Sequence, residues 1–381
     1  MTQVYIPPKR KTKVVFVQLG SPSEPTTKAL RKYLRKFLGD PRVVDINPWL
    51  WKIILNFFVL PFRPKKSAKL YARIWDGESF PLITNTRDFT KNVEMELKEI
   101  DPESHVEVNH AFLLSPPYVN EVYDGWEDDL KKGIGATKLL VIPMFPQYSE
   151  ATIASGIDAL AKELSKRVKI PTFEVITNFH RTHAFIDNSV NQVDTKLNEL
   201  INQGKKIDSL VITFHGMQKR RVVSKGDDYY RHCFETFNLI TNNLKNIKPE
   251  QCTMSFQSRF GSEEWITPYT EDVIKKLISE GKKEIVIYSP SFVADCLETT
   301  DELGHELVND AKEWGGNVHP VECLNTNKDW CKDFAKYTFI QAEGSAQDKE
   351  DIIYQVEKKY CQKMRDAKSD KKYYQLKCLV L

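Results

Sequence analysis

The sequence of 381 residues lacks several features that mark common classes of protein. Its seven cysteines are scattered and never form a C-x-x-C pair, which argues against a zinc ribbon or a thioredoxin-like site. Neither a G-x-G-x-x-G fingerprint nor a Walker A loop occurs, which argues against a dinucleotide or nucleoside triphosphate cofactor. No apolar run reaches the ~18–20 residues that a helix needs to span a bilayer.

The charge balance is nearly even, with 55 basic and 52 acidic residues and a net charge of +3. A protein that binds nucleic acid more often carries a clustered basic excess and a matching motif, so we expect no nucleic-acid partner. The N-terminus, MTQVYIPPKRKTK, contains no apolar stretch of the kind found in signal peptides. Widely spaced cysteines also indicate reduced thiols, and we therefore expect a cytoplasmic protein.

Short apolar runs that alternate with helical patterns predict a parallel sheet covered by helices on both faces. The runs form two series, one in each half of the chain. The predicted strands are residues 13–20, 105–112, 138–145, 172–177, 208–214, 252–257, 284–289 and 317–323.

The two series resemble each other in layout. Each begins with an apolar strand that runs into a glycine, VVFVQLG at 14–20 and LVITFHG at 210–216. Each later has a strand that breaks at a proline before a helix. This pattern predicts two Rossmann-like α/β halves facing a shared cleft. We place them at residues 1–185 and 186–335, followed by a helical extension at 336–381 with a helix near 347–366.

Residues 47–62, NPWLWKIILNFFVLPF, form the most apolar segment of the chain. The segment is too short to span a bilayer and is apolar on nearly every helical face. One interpretation is a buried core helix. The other is an exposed lip that dips into a membrane surface, because the basic residues Arg63, Lys65, Lys66 and Lys69 follow at once.

Three glutamates, Glu298, Glu302 and Glu306, stand four residues apart and so share one face of a predicted helix. A solvated surface face would explain this stripe equally well. However, Glu298 begins the helix after one strand, and His215 ends a neighbouring strand. Both side chains therefore lie at the carboxyl edge of the sheet, where open α/β folds bind their ligands. An imidazole that accepts protons and a carboxylate that offers oxygen ligands make this pair the strongest catalytic candidate.

Two further segments place polar and aromatic residues near the same edge. QSRFG at 257–261 and Trp265 supply a basic residue and a flat aromatic wall. PQYS at 146–149 supplies a polar residue and the aromatic Tyr148 in a similar way from the first half. Arg259 has a simpler interpretation as an internal ion-pair partner.

Taken together, these strings resemble the protoporphyrin ferrochelatase family, most closely its proteobacterial form. The strings occur in the family's order between residue 13 and about residue 330. They are DPRVVDI (40–46), LPFRPKKSAKLYARIW (60–75), IPMFPQYSEAT (142–152), FHGM (214–217), GDDYYRHC (226–233), SFQSRFGSEEWITPYT (255–270), FVADCLETTDEL (292–303) and CLNTN (323–327).

The resemblance implies an enzyme that inserts ferrous iron into protoporphyrin IX in a chelatase-like fold with the active cleft between its halves. The family's histidine falls on His215 and its key glutamate on Glu298, both catalytic and metal-binding positions. Glu302 and Glu306 fall on a π-distorted helix that is assigned to the departing protons or the metal. The implied substrate-binding residues are Leu19, Tyr148, Trp265, Phe292 and Cys296. Segment 47–62 matches the family's apolar lip, which implies peripheral contact with the inner membrane.

The sequence departs from the family's pattern at three places. Cys296 replaces a histidine, Gln18 replaces an asparagine, and Leu113 and Leu114 replace an Arg-Tyr pair at the pocket. The last change removes polar contacts, so it affects metal access, substrate choice or rate. Some relatives carry a [2Fe–2S] cluster on C-terminal cysteines. Because Cys361 and Cys378 lack the close triplet, we predict no cluster and no cofactor, iron being a substrate.

Two other functions stay open. One is a chelatase for another metal, such as cobalt or nickel, although such enzymes usually lack a lip like 47–62. The other is a non-catalytic porphyrin or haem carrier, which the Leu113–Leu114 change favours.

Overall fold

The computed structural model describes residues 11–131, 138–259, 261 and 263–354. Within these residues, eight strands form two parallel sheets of four strands each. In the first sheet the order is β2-β1-β3-β4, and in the second it is β6-β5-β7-β8. The strands are β1 (Thr12–Gln18), β2 (Val106–Phe112), β3 (Lys138–Pro143), β4 (Thr172–Val175), β5 (Ser209–His215), β6 (Cys252–Gln257), β7 (Glu284–Tyr288) and β8 (Asn317–Pro320).

The prediction of two α/β halves with parallel sheets is confirmed, because both sheets use the same strand order. Each half adds its second strand on one side of the first and its third on the other, so β1 corresponds to β5 and β3 to β7. In both halves the helix after the third of these strands begins with a π-helical segment, Glu150–Ala154 or Glu298–Leu307. The structural similarity between the two halves therefore includes these helices as well as the strands.

The helices fill the connections between strands. Thr26 caps the first of them, as its hydroxyl oxygen accepts the amide N–H of Ala29 at 3.2 Å. The helices are α1 (Thr27–Leu38), α2 (Pro48–Ile54), α3 (Arg63–Arg73), α4 (Pro81–Ile100), α5 (Val119–Lys131), α6 (Ser155–Leu164), α7 (His183–Asn202), α8 (Lys219–Lys225), α9 (Tyr229–Asn243), α10 (Thr270–Ser279), α11 (Val308–Glu313), α12 (Lys328–Glu343) and α13 (Ala346–Asp351). A third π-helical segment, Leu55–Val59, follows α2, and a 3₁₀ turn occupies Pro249–Gln251.

One large apolar core joins the two halves. It includes buried side chains of both sheets and of helices α4, α7, α9 and α12. On its other face the first sheet packs against α5 and α6, and the second packs against α10, α11 and the π-helical segment Glu298–Leu307. Each sheet is therefore buried on both faces, which explains why its strands are almost continuously apolar.

The loop at 40–46 is held against the second half by two arginines of α8. Arg220 donates from Nη1 to a carboxylate oxygen of Asp45 at 2.6 Å. The buried Arg221 donates to the carbonyl oxygens of Arg42 and Val43. These contacts fix the position of the first half against the strand end that carries His215.

The C-terminal part of the described chain returns to the first half. Helix α12 packs against α4 and α7. Because α12 runs without a break from Lys328 to Glu343, the domain boundary that we predicted between residues 335 and 336 falls inside a continuous helix. Lys349 of α13 lies 3.7 Å from the Glu174 carboxylate of β4. The predicted helix at 347–366 can be compared with the structure only over its first residues, because residues 355–381 lie outside the described part. Residues 347–351 of that helix belong to α13.

The apolar segment 47–62 lies at the surface rather than in the core. Helix α2 has no buried residue, and Trp49 and Phe62 are 80% and 73% exposed. Leu55 and Leu60 anchor the segment, as they pack against α1 and α3. The interpretation as a buried core helix is therefore wrong, because only Leu55 and Leu60 of this segment are fully buried, while Trp51 and Val59 are partly buried against the same cluster. Among the described residues, no helix combines the length and the apolar character needed to cross a bilayer.

Candidate functional site

A pocket that is partly open to solvent lies between the two halves. The first half contributes the end of β1, helices α1 and α3, and the start of α4. The second half contributes the turn that leads into the π-helical segment Glu298–Leu307. The lining residues are Leu19, Gly20, Ser21, Tyr33, Tyr71, Ile74, Phe80, Leu82, Cys296, Leu297 and Glu298.

His215 is held at the end of β5 by hydrogen bonds on its backbone and on its ring. Its amide N–H donates to Ser291 Oγ at 3.1 Å, and its carbonyl oxygen accepts the Tyr229 hydroxyl at 2.8 Å. The ring nitrogen Nδ1 lies 2.8 Å from the carbonyl oxygen of Gly216, an acceptor only. Nδ1 therefore carries a proton, so the Nε2 of the neutral ring keeps its lone pair. That nitrogen is suited to accept a proton from a ligand.

Two aromatic rings flank this imidazole. The Trp265 and Phe292 ring centroids lie 6.5 and 6.3 Å from that of His215. Gly216 permits the approach of the indole, because a Cβ at this position would lie 2.7 Å from the Gln257 carbonyl oxygen and 2.9 Å from the Trp265 ring. The glycine of the FHGM string thus gives the aromatic wall its position beside the histidine.

Phe292 also connects His215 to the pocket. It packs against a small buried cluster that contains Leu82 and Cys296, and both of these residues line the pocket beside Glu298. The structure thus brings six of the predicted residues near one another between the halves. Leu19, Cys296 and Glu298 line the pocket, whereas His215, Trp265 and Phe292 lie beside it and are connected to it by the contacts of Phe292.

Glu298 faces hydroxyl and thiol groups that remain protonated. Burial, and then the charge of Glu298, raise the pKa of the Tyr33 hydroxyl, and the pKa of Tyr71 is raised chiefly by burial. Burial and Glu298 likewise raise the pKa of the Cys296 thiol well above its usual value. The pocket therefore places hydrogen-bond donors around one carboxylate. It also makes Cys296 a neutral wall residue rather than a thiolate ligand.

Glu302 lies one turn along the π-helical segment and contacts the end of β6. Its two carboxylate oxygens accept the amide N–H of Ser258 at 3.0 Å and the Ser258 hydroxyl at 2.7 Å. Burial, assisted by the charges of Glu298 and Glu306, raises the pKa of Glu302 from 4.5 to about 7, against the effect of the Ser258 hydrogen bonds. This carboxyl group can therefore gain and lose a proton near neutral pH.

This pKa predicts a pH-dependent effect on stability. Between pH 4.5 and 7 the folded protein retains a proton on Glu302 that the unfolded chain has lost, so the stabilisation falls as pH rises. Glu302→Gln removes this dependence and should therefore gain stability relative to wild type over this range, by at most about 3 kcal/mol. Chemical denaturation at several pH values between 4.5 and 8 measures the difference. The control is Glu313→Gln on the exposed end of α11, and parallel curves for all three proteins would contradict the prediction.

The third glutamate of the row has different surroundings. Glu306 is 49% exposed, and its carboxylate accepts from Nη1 of Arg73 at 3.2 Å. The same guanidinium group contacts Asp301, which is buried. An equal spacing in sequence thus yields three carboxylates in three environments: one in the pocket, one partly buried against the end of β6 and one in a surface ion pair.

Tyr148 is not among the residues that line the pocket. Its amide N–H donates to His232 Nδ1 at 3.1 Å, and the His232 ring stacks on His180 with centroids 3.9 Å apart. His180 Nε2 in turn lies 2.7 Å from a carboxylate oxygen of Glu235. Burial lowers the pKa of His232 to about 2, so this ring stays neutral. Tyr148 thus joins a buried polar cluster between the halves.

Sequence reasoning missed several residues of the site. Tyr33 and Tyr71 add hydroxyl groups to the pocket, and Ser258 binds Glu302. Tyr71 and Ser258 lie inside the quoted strings LPFRPKKSAKLYARIW and SFQSRFGSEEWITPYT, which was the available signal. Tyr33 lies on the apolar face of α1 and looks like an ordinary core residue.

The departure at Leu113 and Leu114 leaves the local backbone ordered. Their amide groups donate to the carbonyl oxygens of Gln18 and Leu19 at 3.0 Å each. Both side chains join apolar clusters, Leu113 beside α5 and α6 and Leu114 beside α1 and α3. At this edge the first half therefore presents apolar groups in place of polar ones.

Within the described residues no set of three or more histidine, cysteine or acidic side chains is arranged to hold a metal ion. The five cysteines described are free and buried. Cys361 and Cys378 lie outside the described residues, so the prediction that no iron–sulfur cluster is bound stays a prediction.

Comparison with known proteins identifies the relatives of this chain. The family model described as Ferrochelatase matches residues 11–340. A ferrochelatase from Idiomarina loihiensis is 39% identical over 316 residues, which cover 83% of this chain and 84% of that protein. A coproporphyrin III ferrochelatase from Enterococcus faecalis is 40% identical over 310 residues, which cover 81% and 93%.

Among solved structures, SirB from Bacillus subtilis with Fe3+ aligns over 91% of this chain and 100% of that one, with a TM-score of 0.49 and 13% identity. The family model spans both sheets and every residue of the pocket described above. On this match and on the identity to its relatives over most of their length, the chain belongs to the ferrochelatase family.

Proposed function

We propose that this protein inserts ferrous iron into protoporphyrin IX, forming haem and releasing two protons. The observation that carries the proposal is the pocket between the halves, where Glu298 faces one side and the aromatic walls lead to the free Nε2 of His215. Membership of the ferrochelatase family supports the same reaction.

The reaction needs a base and a route for the metal. A free porphyrin carries two N–H protons at its centre, and iron cannot bind the four nitrogens until these protons leave. Bending the ring exposes the nitrogen lone pairs on one face, with the strain drawn from binding energy elsewhere on the macrocycle. We assign proton acceptance to His215 and metal guidance to Glu298. The opposite assignment, with Glu298 as the proton acceptor, predicts different kinetic constants for the Glu298→Gln variant.

The surrounding residues divide into two groups in this scheme. Leu19, Trp265, Phe292 and the neutral Cys296 would contact the apolar macrocycle. Glu302, whose pKa is raised to about 7, is suited to pass on protons because a carrier works best when its pKa lies near the working pH.

The choice of porphyrin is the part of the proposal that most needs a test. One relative at 40% identity acts, by its name, on coproporphyrin III. The exposed apolar segment 47–62 favours protoporphyrin, which is the less carboxylated and more lipid-soluble of the two. The purified protein should be mixed anaerobically with ferrous iron and each porphyrin, while the metalloporphyrin absorbance is followed.

We expect faster turnover with protoporphyrin. Faster turnover with coproporphyrin would reverse the choice of substrate. Turnover with cobalt or nickel but not with iron would favour a chelatase for another metal. Porphyrin binding without any turnover would identify a carrier.

We also propose that segment 47–62 rests on a membrane surface, with the protein in the cytoplasm at the inner membrane and without a nucleic-acid partner. Large apolar side chains project outward from α2 and the π-helical segment after it. Lys65, Lys66 and Lys69 are exposed on α3 directly beyond them. Apolar side chains beside cations match a bilayer surface with anionic head groups.

Substitution of exposed residues tests this contact without disturbing the core. The variant Trp49→Ser, Phe57→Ser, Phe62→Ser should sediment with anionic liposomes at least about a hundredfold more weakly, because each large apolar side chain contributes about 1.5–3 kcal/mol when buried. The control variant Val168→Ser, Ile170→Ser alters exposed apolar residues elsewhere. Equal vesicle binding by the two variants would show that the segment makes no membrane contact.

A further inference from the structure

Arg73 connects the two halves of the protein through two carboxylates. It is the last residue of α3, in the first half, and its Nη1 lies 3.1 Å from Asp301 Oδ1 and 3.2 Å from Glu306 Oε1. Both acids belong to the π-helical segment Glu298–Leu307 of the second half. A single guanidinium group therefore bridges elements that are more than two hundred residues apart in the chain.

The two bridged elements are also opposite walls of the pocket. Tyr71 and Ile74, on either side of Arg73 in sequence, line the pocket from the first half. Glu298 lines it from the first turn of the π-helical segment. The ion pair therefore joins two elements that both line the pocket.

Asp301 makes this contact stronger than an ordinary surface ion pair. It is 2% exposed, and within the described chain Arg73 is the only basic side chain with a nitrogen within 4 Å of it. A buried carboxylate that loses its partner is strongly destabilised, whereas an exposed pair such as Arg73–Glu306 contributes little. The free-energy cost of separating Arg73 from the two carboxylates therefore comes chiefly from Asp301.

We propose that Arg73 is a positioning residue that latches α3 to the π-helical segment and so sets the width of the porphyrin pocket. This inference rests on the proposed function. It also links the pocket to the exposed segment 47–62, because α3 begins directly after Phe62. A movement of that segment on a membrane would be transmitted along α3 to the latch.

The latch is tested by the release of porphyrin in the absence of iron, a readout that does not depend on catalysis. The variants are Arg73→Gln, Asp301→Asn and the double variant, in which no unpaired buried carboxylate remains. The matched control is Arg87→Gln, which removes an exposed ion pair with the adjacent Asp88 inside α4. Stopped-flow fluorescence gives the dissociation rate constant, and denaturation gives the stability of each variant.

We expect Arg73→Gln and the double variant to release porphyrin about tenfold faster than wild type, with Arg87→Gln unchanged. The double variant should recover the stability that Arg73→Gln loses, and Arg73→Lys should fall between wild type and Arg73→Gln in release rate. If the stable double variant releases porphyrin at the wild-type rate, Arg73 has only a structural role and the latch is overturned. If wild type binds no porphyrin, the proposed function fails and the latch fails with it.

Discussion

Replacing His215 with alanine should lower the rate of iron insertion by at least about a hundredfold, the smaller end of the effect of losing a positioned proton acceptor. The hydrogen bond from Nδ1 to Gly216 fixes the ring so that Nε2 is free to take a proton. Trp265 and Phe292 should keep their positions in the fold when the imidazole is removed. Porphyrin affinity should therefore change much less than the rate, as measured by fluorescence titration beside the anaerobic assay.

Added imidazole distinguishes chemistry from structural damage in this variant. A small base that enters the space left by the side chain should restore part of the activity, and more of it as the pH rises and the base loses its proton. His183→Ala provides the control, since that histidine is exposed on α7 and pairs with Asp187. A His215→Ala variant that turns over at the control's rate would remove His215 from the mechanism.

The fold was largely predictable because its signals are local. Each predicted strand is a short apolar run, and burial on both faces of a parallel sheet demands such runs. The glycines at 20 and 216 marked equivalent strand ends, and both lie beside the pocket or its histidine. The parallel direction of the strands followed from the alternation of strands and helices, since each connection must cross over the sheet, whereas the strand order came only from the structure.

The electrostatics of the site were not predictable, because they depend on distant parts of the chain. Nothing near Glu302 in sequence indicates Ser258, and nothing near Asp301 indicates Arg73. Spacing suggested that Glu298, Glu302 and Glu306 form one equivalent row. Tertiary contacts instead give each carboxylate a different degree of burial and a different partner, so their roles should differ as well.

The exposed apolar segment shows a second limit of sequence reasoning. Composition alone could not separate a core helix from a surface lip, since both are apolar on most faces. The difference lies in which side chains find partners: Leu55 and Leu60 do, on α1 and α3, whereas Trp49 and Phe57 do not enter any of the buried clusters among the described residues. Which side chains of the segment pack against other residues is determined by the whole fold and not by the segment's own sequence.

Of the three glutamates, only Glu298 lines the pocket. We therefore expect Glu298→Gln to cause the second large loss of activity. This change keeps the shape of the side chain but removes the charge that faces the pocket, so iron insertion should fall by about a hundredfold or more. The matched control, Glu313→Gln, removes the same charge from the exposed end of α11 and should leave the rate unchanged.

The kinetic constants of Glu298→Gln separate the two possible roles of this carboxylate. If Glu298 guides the metal, KM for ferrous iron rises and saturating iron recovers much of the rate. If Glu298 accepts the protons, kcat falls at every iron concentration and the pH dependence of kcat changes. Equal rates for Glu298→Gln and Glu313→Gln would exclude both roles. Because Glu302 lies one turn beyond Glu298, part of any lost proton transfer should return as the pH rises and Glu302 becomes ionised. This recovery should be centred below pH 7, since the variant lacks the Glu298 charge that helps to raise the pKa of Glu302 to about 7 in the wild type.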